Sequence, residues 1–302
     1  MINIMRCFQD IRVFKAVTGM PYAEFNALLP AFHEALSRGK TTDPSPRQRQ
    51  EGGGRKHTLL TGREKLFFLV FDLTCYATFD VLAWLFDVDR AQTHRWVTTS
   101  LPILESALGR KAVLPERKIA TVEEFLRRFP PVKEVFVDGT ERAIRRPTGN
   151  EEQKPYYSGK KKGHRVTNIV VTDERKRVLV LSDTFPGHTH DKTGANEQAI
   201  FAPIPTDVRV HIDLGFLGVP NERPEGTFSL PEKKPKGRAL SEDAKARNRE
   251  KARRRVLVDH AIGGVKRFRA VAEVLRNSLT RFADRLMLVA CGLWNLHIAM
   301  VA

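Results

Sequence analysis

Three aspartates stand where packing alone gives them no obvious purpose. Asp138 follows the apolar run Val135-Phe136-Val137 and precedes Gly139 and Thr140. Such a run reads as a buried strand. A charge at its end is costly unless something compensates it. Asp213, in HIDLGF, repeats the arrangement, with an apolar residue just before it and a glycine close behind. Two strands of one sheet ending this way would set two carboxylates side by side, and repulsion would force a proton onto one of them. A divalent cation between them removes that conflict. The third acid is Asp259, in RRRVLVDHAIGGVKRF; on a helix it shares a face with Val256, Ile262 and Gly263. Oxygen donors without a His/Cys cluster suit magnesium or manganese. Two such ions about 4 Å apart activate a water or a 3′ hydroxyl and stabilise the leaving oxygen of a phosphodiester. The plainer readings are a hairpin turn at Asp138-Gly139 and a local ion pair of Asp259 with Arg255 or Lys266.

Positioning these acids requires a sheet with helices against it. From about residue 132 the chain has that texture. Strands are expected at Glu134–Asp138, Arg142–Arg146, His164–Thr172, Arg177–Asp183 and Val208–Asp213, the third and fourth forming a hairpin around Asp173-Glu174-Arg175. Helices are expected over 190–200, 241–270 and 279–301. Strands first and helices after, with one helix before the last strand, predict a mixed α/β sheet.

The N-terminal part reads as helical. Residues 1–36 offer Phe14, Val17, Phe25, Leu28, Leu29 and Phe32 for a core. Residues 37–56 are rich in Pro, Gly and charge and read as a flexible basic linker. Helix resumes over 62–108. Within it, TFDVLAWLFDVDRAQTHRWVTTSL places Thr78 to cap one short helix and Asp89 to cap a second, with Val88 as an apolar plug between them. That order fits a helix-turn-helix and equally an ordinary helical hairpin. The second helix would turn Gln92, Thr93 and Arg95 outward and Ala91, Val97 and Leu101 inward.

The 302 residues carry a net charge of +16, which favours a polyanionic partner. The three cysteines, Cys7, Cys75 and Cys291, are odd in number and form no CxxC pair, which excludes a disulfide framework or a structural zinc site. Cys75 and Cys291 read as buried thiols in a reducing, cytoplasmic setting. The apolar run Leu286–Ala302 is short and contains Asn295 and His297, so it reads as a core helix. No membrane partner is expected, and nucleic acid is the expected polyanion.

Two basic stretches extend this. KPYYSGKKKGHRV holds Tyr156, Tyr157, Lys160, Lys161, Lys162, His164 and Arg165 within ten residues. Lysines neutralise phosphates, and a tyrosine stacks on a base or bonds a phosphate. Glu232–Arg255 holds eleven Lys or Arg against four acids and leads directly to Asp259. A helix this basic can track a phosphate backbone, with Arg253 and Lys266 as contacts on either side of the acid. Residues 221–240 read as a mobile charged loop. His190 and Asp191, in GHTHDK, read first as a cap for the following helix.

At this point the chain resembles transposases of the bacterial insertion-sequence group called IS-five, whose relatives include the eukaryotic Harbinger type. The resemblance runs from about Thr58 to the C terminus. TFDVLAWLFDVDRAQTHRWV is similar to that family's helix-turn-helix, and VFVDGTERAI to its first acidic motif. QKPYYSGKKKGHRV resembles its basic strand-entry motif, and FPGHTHDKT its Pro-Gly-x-x-His-Asp segment. HIDLGFLG and RVLVDHAIGGVKRFR resemble the second and third acidic motifs. The resemblance implies a ribonuclease H-like α/β catalytic core over 121–302 and a helix-turn-helix region over 57–120. It implies a catalytic, metal-binding triad of Asp138, Asp213 and Asp259 with two Mg²⁺ or Mn²⁺ ions. It also implies DNA partners, namely terminal inverted repeats and target DNA, and a homodimer or larger synaptic assembly at the nucleoid. The third position departs from the family's usual glutamate. Aspartate is one methylene shorter, and misplacement of about 1 Å costs much rate. A copy retaining only DNA binding, and a nuclease without a joining step, are the alternatives.

Overall fold

The computed structural model describes residues 2–41, 58–277 and 279–301. The chain divides into two units: one comprises 1–114, 266–273 and 285–302, the other 115–265 and 274–284. The segments 266–273 and 285–302 thus group with the N-terminal helices.

The first unit is helical. It opens with α1 (Ile4–Gln9), α2 (Ile11–Thr18) and α3 (Tyr22–Thr41), continues through α4 (Gly62–Cys75), α5 (Phe79–Phe86) and α6 (Arg90–Arg110), and is completed by later segments. α3 runs to Thr41, so residues 37–41, expected as the start of the linker, are helical. The remainder of that linker lies outside the described residues. α4 begins with a capping box, in which the Thr61 hydroxyl accepts from Glu64 N at 3.1 Å and the Glu64 carboxylate accepts from Thr61 N at 2.8 Å. Every residue from Leu66 to Thr74 is buried, because neighbouring helices surround α4 on all sides. Phe8, Phe14, Tyr22, Phe25 and Phe67 form one aromatic cluster around it, with ring centroids 5.3–6.2 Å apart.

The second unit is built on a sheet. Its elements are α7 (Val122–Arg128), β1 (Glu134–Ala143), α8 (Asn150–Gln153), β2 (Tyr157–Ser158), β3 (Gly163–Thr172), β4 (Val178–Leu181), β5 (Phe185–Pro186), α9 (Asp191–Glu197), β6 (Arg209–His211), α10 (Val219–Glu222), β7 (Thr227–Ser229) and α11 (Glu242–Val265). The order is β2-β3-β1-β6-β7, with β4 and β5 also paired to β3. β1 runs antiparallel to β3 and parallel to β6, and β7 is parallel to β6. This is a mixed sheet flanked by helices, compatible with the ribonuclease H-like class. The β3–β4 hairpin forms where expected, with Asp173 Oδ1 accepting from Arg177 N at 2.9 Å.

Two expectations need correction here. Asp138 does not end its strand. β1 continues through Gly139 and Thr140 to Ala143, with Asp138 opposite Val170, so the separate strand expected at Arg142–Arg146 is the second half of β1. The hairpin reading of Asp138-Gly139 falls with it: β3 supplies a partner for every residue from Phe136 to Ala143, and a paired backbone has no reason to turn. Residues 221–240 are not wholly loop either, since β7 adds Thr227–Ser229 to the sheet by pairing with β6.

Alternation along β1 divides the sheet into two faces. Val135 and Val137 join Ile169, Val171, Leu179, Val210, Ile212 and Phe216 in the main apolar core of this unit. Phe136, Asp138, Thr140 and Arg142 point the other way. α11 packs along β1, β3 and β6.

The chain ends with α12 (Arg269–Ala272), which packs on α4, and α13 (Thr280–Val301). α13 starts in the second unit and enters the first at Arg285. It is long and apolar enough to cross a membrane by length and composition, but 61% of its most apolar window is buried, as in a core helix. It is fastened within the first unit by His297 Nδ1, 2.6 Å from the buried Glu24 Oε1, and by Asn295 Nδ2 donating to Val113 O at 2.9 Å. Among the described residues, Cys7, Cys75 and Cys291 form no disulfide. Cys7 and Cys291 are buried and Cys75 half-buried, and burial pushes the thiols of Cys7 and Cys75 above their usual range.

Candidate active site

Asp138 is held in mid-strand by β3 on one side and by β6, a few residues back, on the other. Its Oδ1 accepts from Gly139 N at 2.8 Å. Asp213 lies two residues past β6, where it caps a single 3₁₀ turn (Leu214–Phe216), its Oδ1 accepting from Gly215 N at 2.8 Å. Because β6 runs parallel to β1 with Phe136 opposite His211, Asp213 follows two residues on, level with Asp138 along the neighbouring strand. Asp259 comes from α11, which crosses these strands.

The ionisation of Asp138 records the arrangement. Its pKa is pushed up to about 7, first by burial, then by the charge of Asp213 and, more weakly, by that of Asp259. The Gly139 N–H and the Arg255 guanidinium oppose the rise. The three acids that the sequence singled out are therefore within electrostatic reach of one another. Among the described residues, no ion pair joins Asp259 to Arg255.

The setting of Asp259 differs from expectation. The buried stripe of α11 is Val258, Ala261, Ile262 and Val265. Asp259, with Val256 and Gly263, lies on the exposed flank. A Cβ on Gly263 would meet nothing within 4 Å, so this glycine permits no close approach to the sheet. The face was assigned from the apolar residues nearest the acid, whereas helical spacing let a parallel stripe one residue away win the burial.

A fourth carboxylate joins these three. Asp191 was read as a cap, but the N-cap of α9 is His190, and no side-chain cap bond is made there. The Asp191 carboxylate instead lies over the backbone of Gly139, where Oδ1 is 2.5 Å from the position a Cβ would take. Its pKa is raised by burial, against the opposing charge of Lys160, and further by Asp213 and Glu141. The signal was present in the sequence as the segment FPGHTHDKT, whose last acid is this residue.

The donor set is entirely carboxylate oxygen, which fits magnesium or manganese. Carboxylates pack closely on the glycines after Asp138 and Asp213: a Cβ on Gly139 would fall 2.5 Å from Asp191 Oδ1, and one on Gly215 2.9 Å from Asp213 Oδ1. Among the described residues, no three His, Cys, Asp or Glu side chains converge into a ready-made metal cage. Like charges without a cation between them are expected to stand apart.

The residues expected to touch DNA fall into separate groups. Lys160, Lys161 and Lys162 are exposed on the β2–β3 turn. Tyr157, 45% exposed, lies across from His164, with rings 5.7 Å apart. With Arg146, Lys154 and His188 they line an open groove of about 900 Å³. Arg253 is exposed on α11, whose basic side chains are partly tied to acids: Arg247 to Glu232 at 2.6 Å, and Arg254 to Glu134. Lys266 is half-buried just past the end of α11 and belongs to the first unit.

In the helical pair, Thr78 caps α5 by accepting from Val81 N at 3.3 Å. Asp89 occupies the N-cap of α6 without a side-chain bond. Gln92 is half-buried and Arg95 exposed, the two joined by a 3.0 Å bond. Thr93 does not face outward. It is fully buried, and its hydroxyl donates to Arg90 O at 2.7 Å and Phe79 O at 3.3 Å, binding α6 to α5. Ala91 is exposed instead. Thr93, Val97, Ser100, Leu101 and Leu104 keep the spacing of one buried face, which places His94 beside Arg95 on the open one.

The family model described as DDE superfamily endonuclease matches residues 137–295, just over half of the 302. This chain belongs to the DDE superfamily of endonucleases. The match begins beside Asp138 and covers Asp191, Asp213 and Asp259. The superfamily chain is also 29% identical over 195 residues to a protein of Microchaete diplosiphon named probable transposase for insertion sequence element IS702, covering 64% of this chain and 66% of that relative. No solved structure matches. The transposase resemblance read from the motifs is thus supported at the level of the DDE superfamily.

Proposed function

We propose that this DDE-superfamily chain is a DNA transposase that binds the terminal inverted repeats of its element, cuts there and joins the ends to target DNA. The observation that carries the reading is the placement of Asp138 in β1 and of Asp213 two residues past the parallel strand β6, with Asp259 on α11, the helix that packs along both strands. Asp138, Asp213 and Asp259 are the catalytic carboxylates and would hold two divalent ions. Magnesium or manganese bound to these oxygens would polarise the scissile phosphate and stabilise the attacking and leaving oxygens. Attack by water breaks a P–O3′ bond and leaves a 3′ hydroxyl. Attack by that hydroxyl on a target phosphodiester forms a new P–O3′ bond and releases a target 3′ hydroxyl. Asp138 presents its carboxylate from a strand paired on both sides, so little reorganisation is needed at the reacting phosphate.

Lys160, Lys161, Lys162, Arg253 and Lys266 neutralise phosphates. Tyr157 and His164 offer ring faces in the basic groove. Gln92, His94 and Arg95 on α6 read base edges. A synaptic dimer or larger assembly, which brings two ends together at the nucleoid, completes the reading. Lys161→Ala is expected to weaken binding equally at all sequences and to lower the slope of log affinity against log salt by roughly one. Arg95→Ala is expected to change sequence preference; unchanged preference in a selection from random duplexes would remove α6 from the groove.

A second reading is favoured by one observation: Asp259 is both one methylene short and on the exposed flank of α11. In that reading the chain binds the repeats without cutting them. The test is cleavage of duplexes carrying the flanking repeats in Mg²⁺ or Mn²⁺. Cuts by wild type establish the enzyme. Cuts by Asp259→Glu alone, with wild type silent, identify a crippled third ligand, and silence from both with specific binding intact supports the binding protein.

A further inference from the structure

The groove beside the β2–β3 turn is floored by flat side chains. Tyr157 stands opposite His164 in the β2–β3 pairing, and Pro186 stands opposite Val166, two residues along β3. Antiparallel partners share a face, and so do residues two apart on a strand. Tyr157, His164 and Pro186 therefore lie side by side on one face of the sheet. Val166 pairs with Arg142 and Val170 with Asp138, so it is the face from which Asp138 projects. Pro155 and His188 join the lining, and the His188 N–H ties the two walls by donating to Pro155 O at 3.0 Å. Pro155, Tyr157 and His188 are exposed, an apolar surface that the fold leaves to solvent.

Cations stand at its rim. Arg146 has its Nε on the neutral Gln153 side chain at 2.8 Å. Lys154 pairs with Glu151 at 2.6 Å, but their side chains are 70% and 83% exposed, and so open a pair contributes little and yields to a competing anion. Lys160, Lys161 and Lys162 follow on the adjoining turn. A flat apolar floor with a cationic rim complements one unit of a DNA strand, a base with its phosphate. In a paired duplex the neighbouring bases cover both faces of each base, so the rings would meet none of them. A base turned out of the stack offers a face, and stacking on the floor offsets the cost of unstacking it. A groove of about 900 Å³ falls within the ~300–1,000 Å³ of small-ligand sites and admits a nucleotide.

The groove also lies near the candidate carboxylates. His188 is three residues before Asp191, at most about 11 Å of extended chain. The Asp191 carboxylate lies over Gly139, next to Asp138 in β1. A base held in the groove is thus a few strand steps from the acids.

We propose that this groove holds one unstacked nucleotide of the DNA strand near the cut, its base on the face formed by Tyr157, His164 and Pro186 and its phosphate at Arg146 and Lys154. This rests on the DNA-transposase reading and goes beyond it by assigning the groove to an unpaired base instead of duplex. Every base has a face to stack, so the groove selects an unpaired position and no particular sequence.

The test is binding of the full chain in EDTA, by fluorescence anisotropy, to repeat duplexes that are fully paired or carry a mismatched pair scanned across the repeat end, with a short oligothymidylate as a second probe. Wild type is expected to prefer a mismatch near the cut by about five- to a hundredfold. Tyr157→Ala is expected to bring that ratio close to one, and Tyr157→Phe to keep it. Lys161→Ala should weaken binding to both duplexes and leave the ratio unchanged. A wild-type ratio near one at every position, or a ratio retained by Tyr157→Ala, would overturn the proposal. Loss of the ratio in Tyr157→Phe as well would assign the effect to the hydroxyl and overturn stacking. If wild type does not distinguish repeat from random duplex, yet binds oligothymidylate and loses it in Tyr157→Ala, repeat recognition fails and the groove stands. Should Tyr157→Ala not fold, Tyr157→Leu, which keeps bulk without a flat ring, takes its place with the same expected ratio.

Discussion

Asp138→Asn is expected to abolish metal-dependent DNA cleavage, by roughly a thousandfold or more, and at the same time to stabilise the fold. On the proposed function, the loss follows from removing a carboxylate that would hold a cation, and such a cation would supply several kcal/mol of transition-state stabilisation. The gain follows from the pKa. Asp138 titrates near 7 in the folded chain and at 3.8 as an ordinary aspartate. Between those values the native state holds a proton that the unfolded state has lost, so stability falls as pH rises across that window. At pH 8 the full penalty is present, up to about 4 kcal/mol. At pH 5 about 1–2 kcal/mol of it remains. Asparagine resembles the protonated acid and keeps an oxygen for the Gly139 N–H, so it escapes the penalty. Denaturant unfolding in EDTA at the two pH values checks this. An Asp138→Asn variant no more stable than wild type at pH 8 would show that Asp138 carries no such burden. Mg²⁺ should relieve the same penalty in wild type and not in the variant.

The largest expected loss of stability comes from Arg142, four residues along the same strand. It is 1% exposed, with its guanidinium donating to Ala283 O at 2.7 Å, Asn168 Oδ1 at 2.7 Å and Thr184 Oγ1 at 3.1 Å. Thr184 donates in turn to Asp284 at 2.7 Å, and Asp284 pairs with Arg117 at 2.9 Å. This network ties β1 and β3 to the first turn of α13 within the second unit. Arg142→Ala would leave two buried acceptors unpaired and open a cavity. It is expected to cost about 3–5 kcal/mol, a large share of the 5–15 kcal/mol typical of a domain. Arg142→Met, which refills the volume, should recover part of the cavity cost and none of the hydrogen bonds. Urea midpoints within error of wild type for both variants would show that the network is idle. Neither change touches the carboxylates, so cation affinity measured below the unfolding transition should be retained.

Much of the site was legible because local rules carried it. The apolar runs before Asp138 and Asp213, with glycine close behind, specify strands that deliver carboxylates, and the β3–β4 hairpin follows from its turn residues. The charge of +16 and the lysines of the β2–β3 turn point to a polyanion without any fold. Thr78 as a cap and the turn before α6 also follow from neighbours in sequence.

What remained depended on which surface is covered. Thr93 and Ala91 exchanged places because burial on α6 is chosen by its packing against α5, and a threonine whose hydroxyl finds a backbone carbonyl is as acceptable inside as alanine. Asp259 moved to the exposed flank because the stripe of Val258, Ala261 and Ile262 meets the sheet, a preference that periodicity leaves open when apolar residues lie on both sides of an acid. Asp138 proved to be mid-strand because β3 is long enough to pair β1 past the glycine, a property of the partner strand. Asp191 entered the site because α9 docks where two glycines make room. The sequence by itself determined the kinds of groups and the chemistry open to them. The tertiary structure decided which carboxylates share a space, since that depends on contacts between residues far apart in the chain.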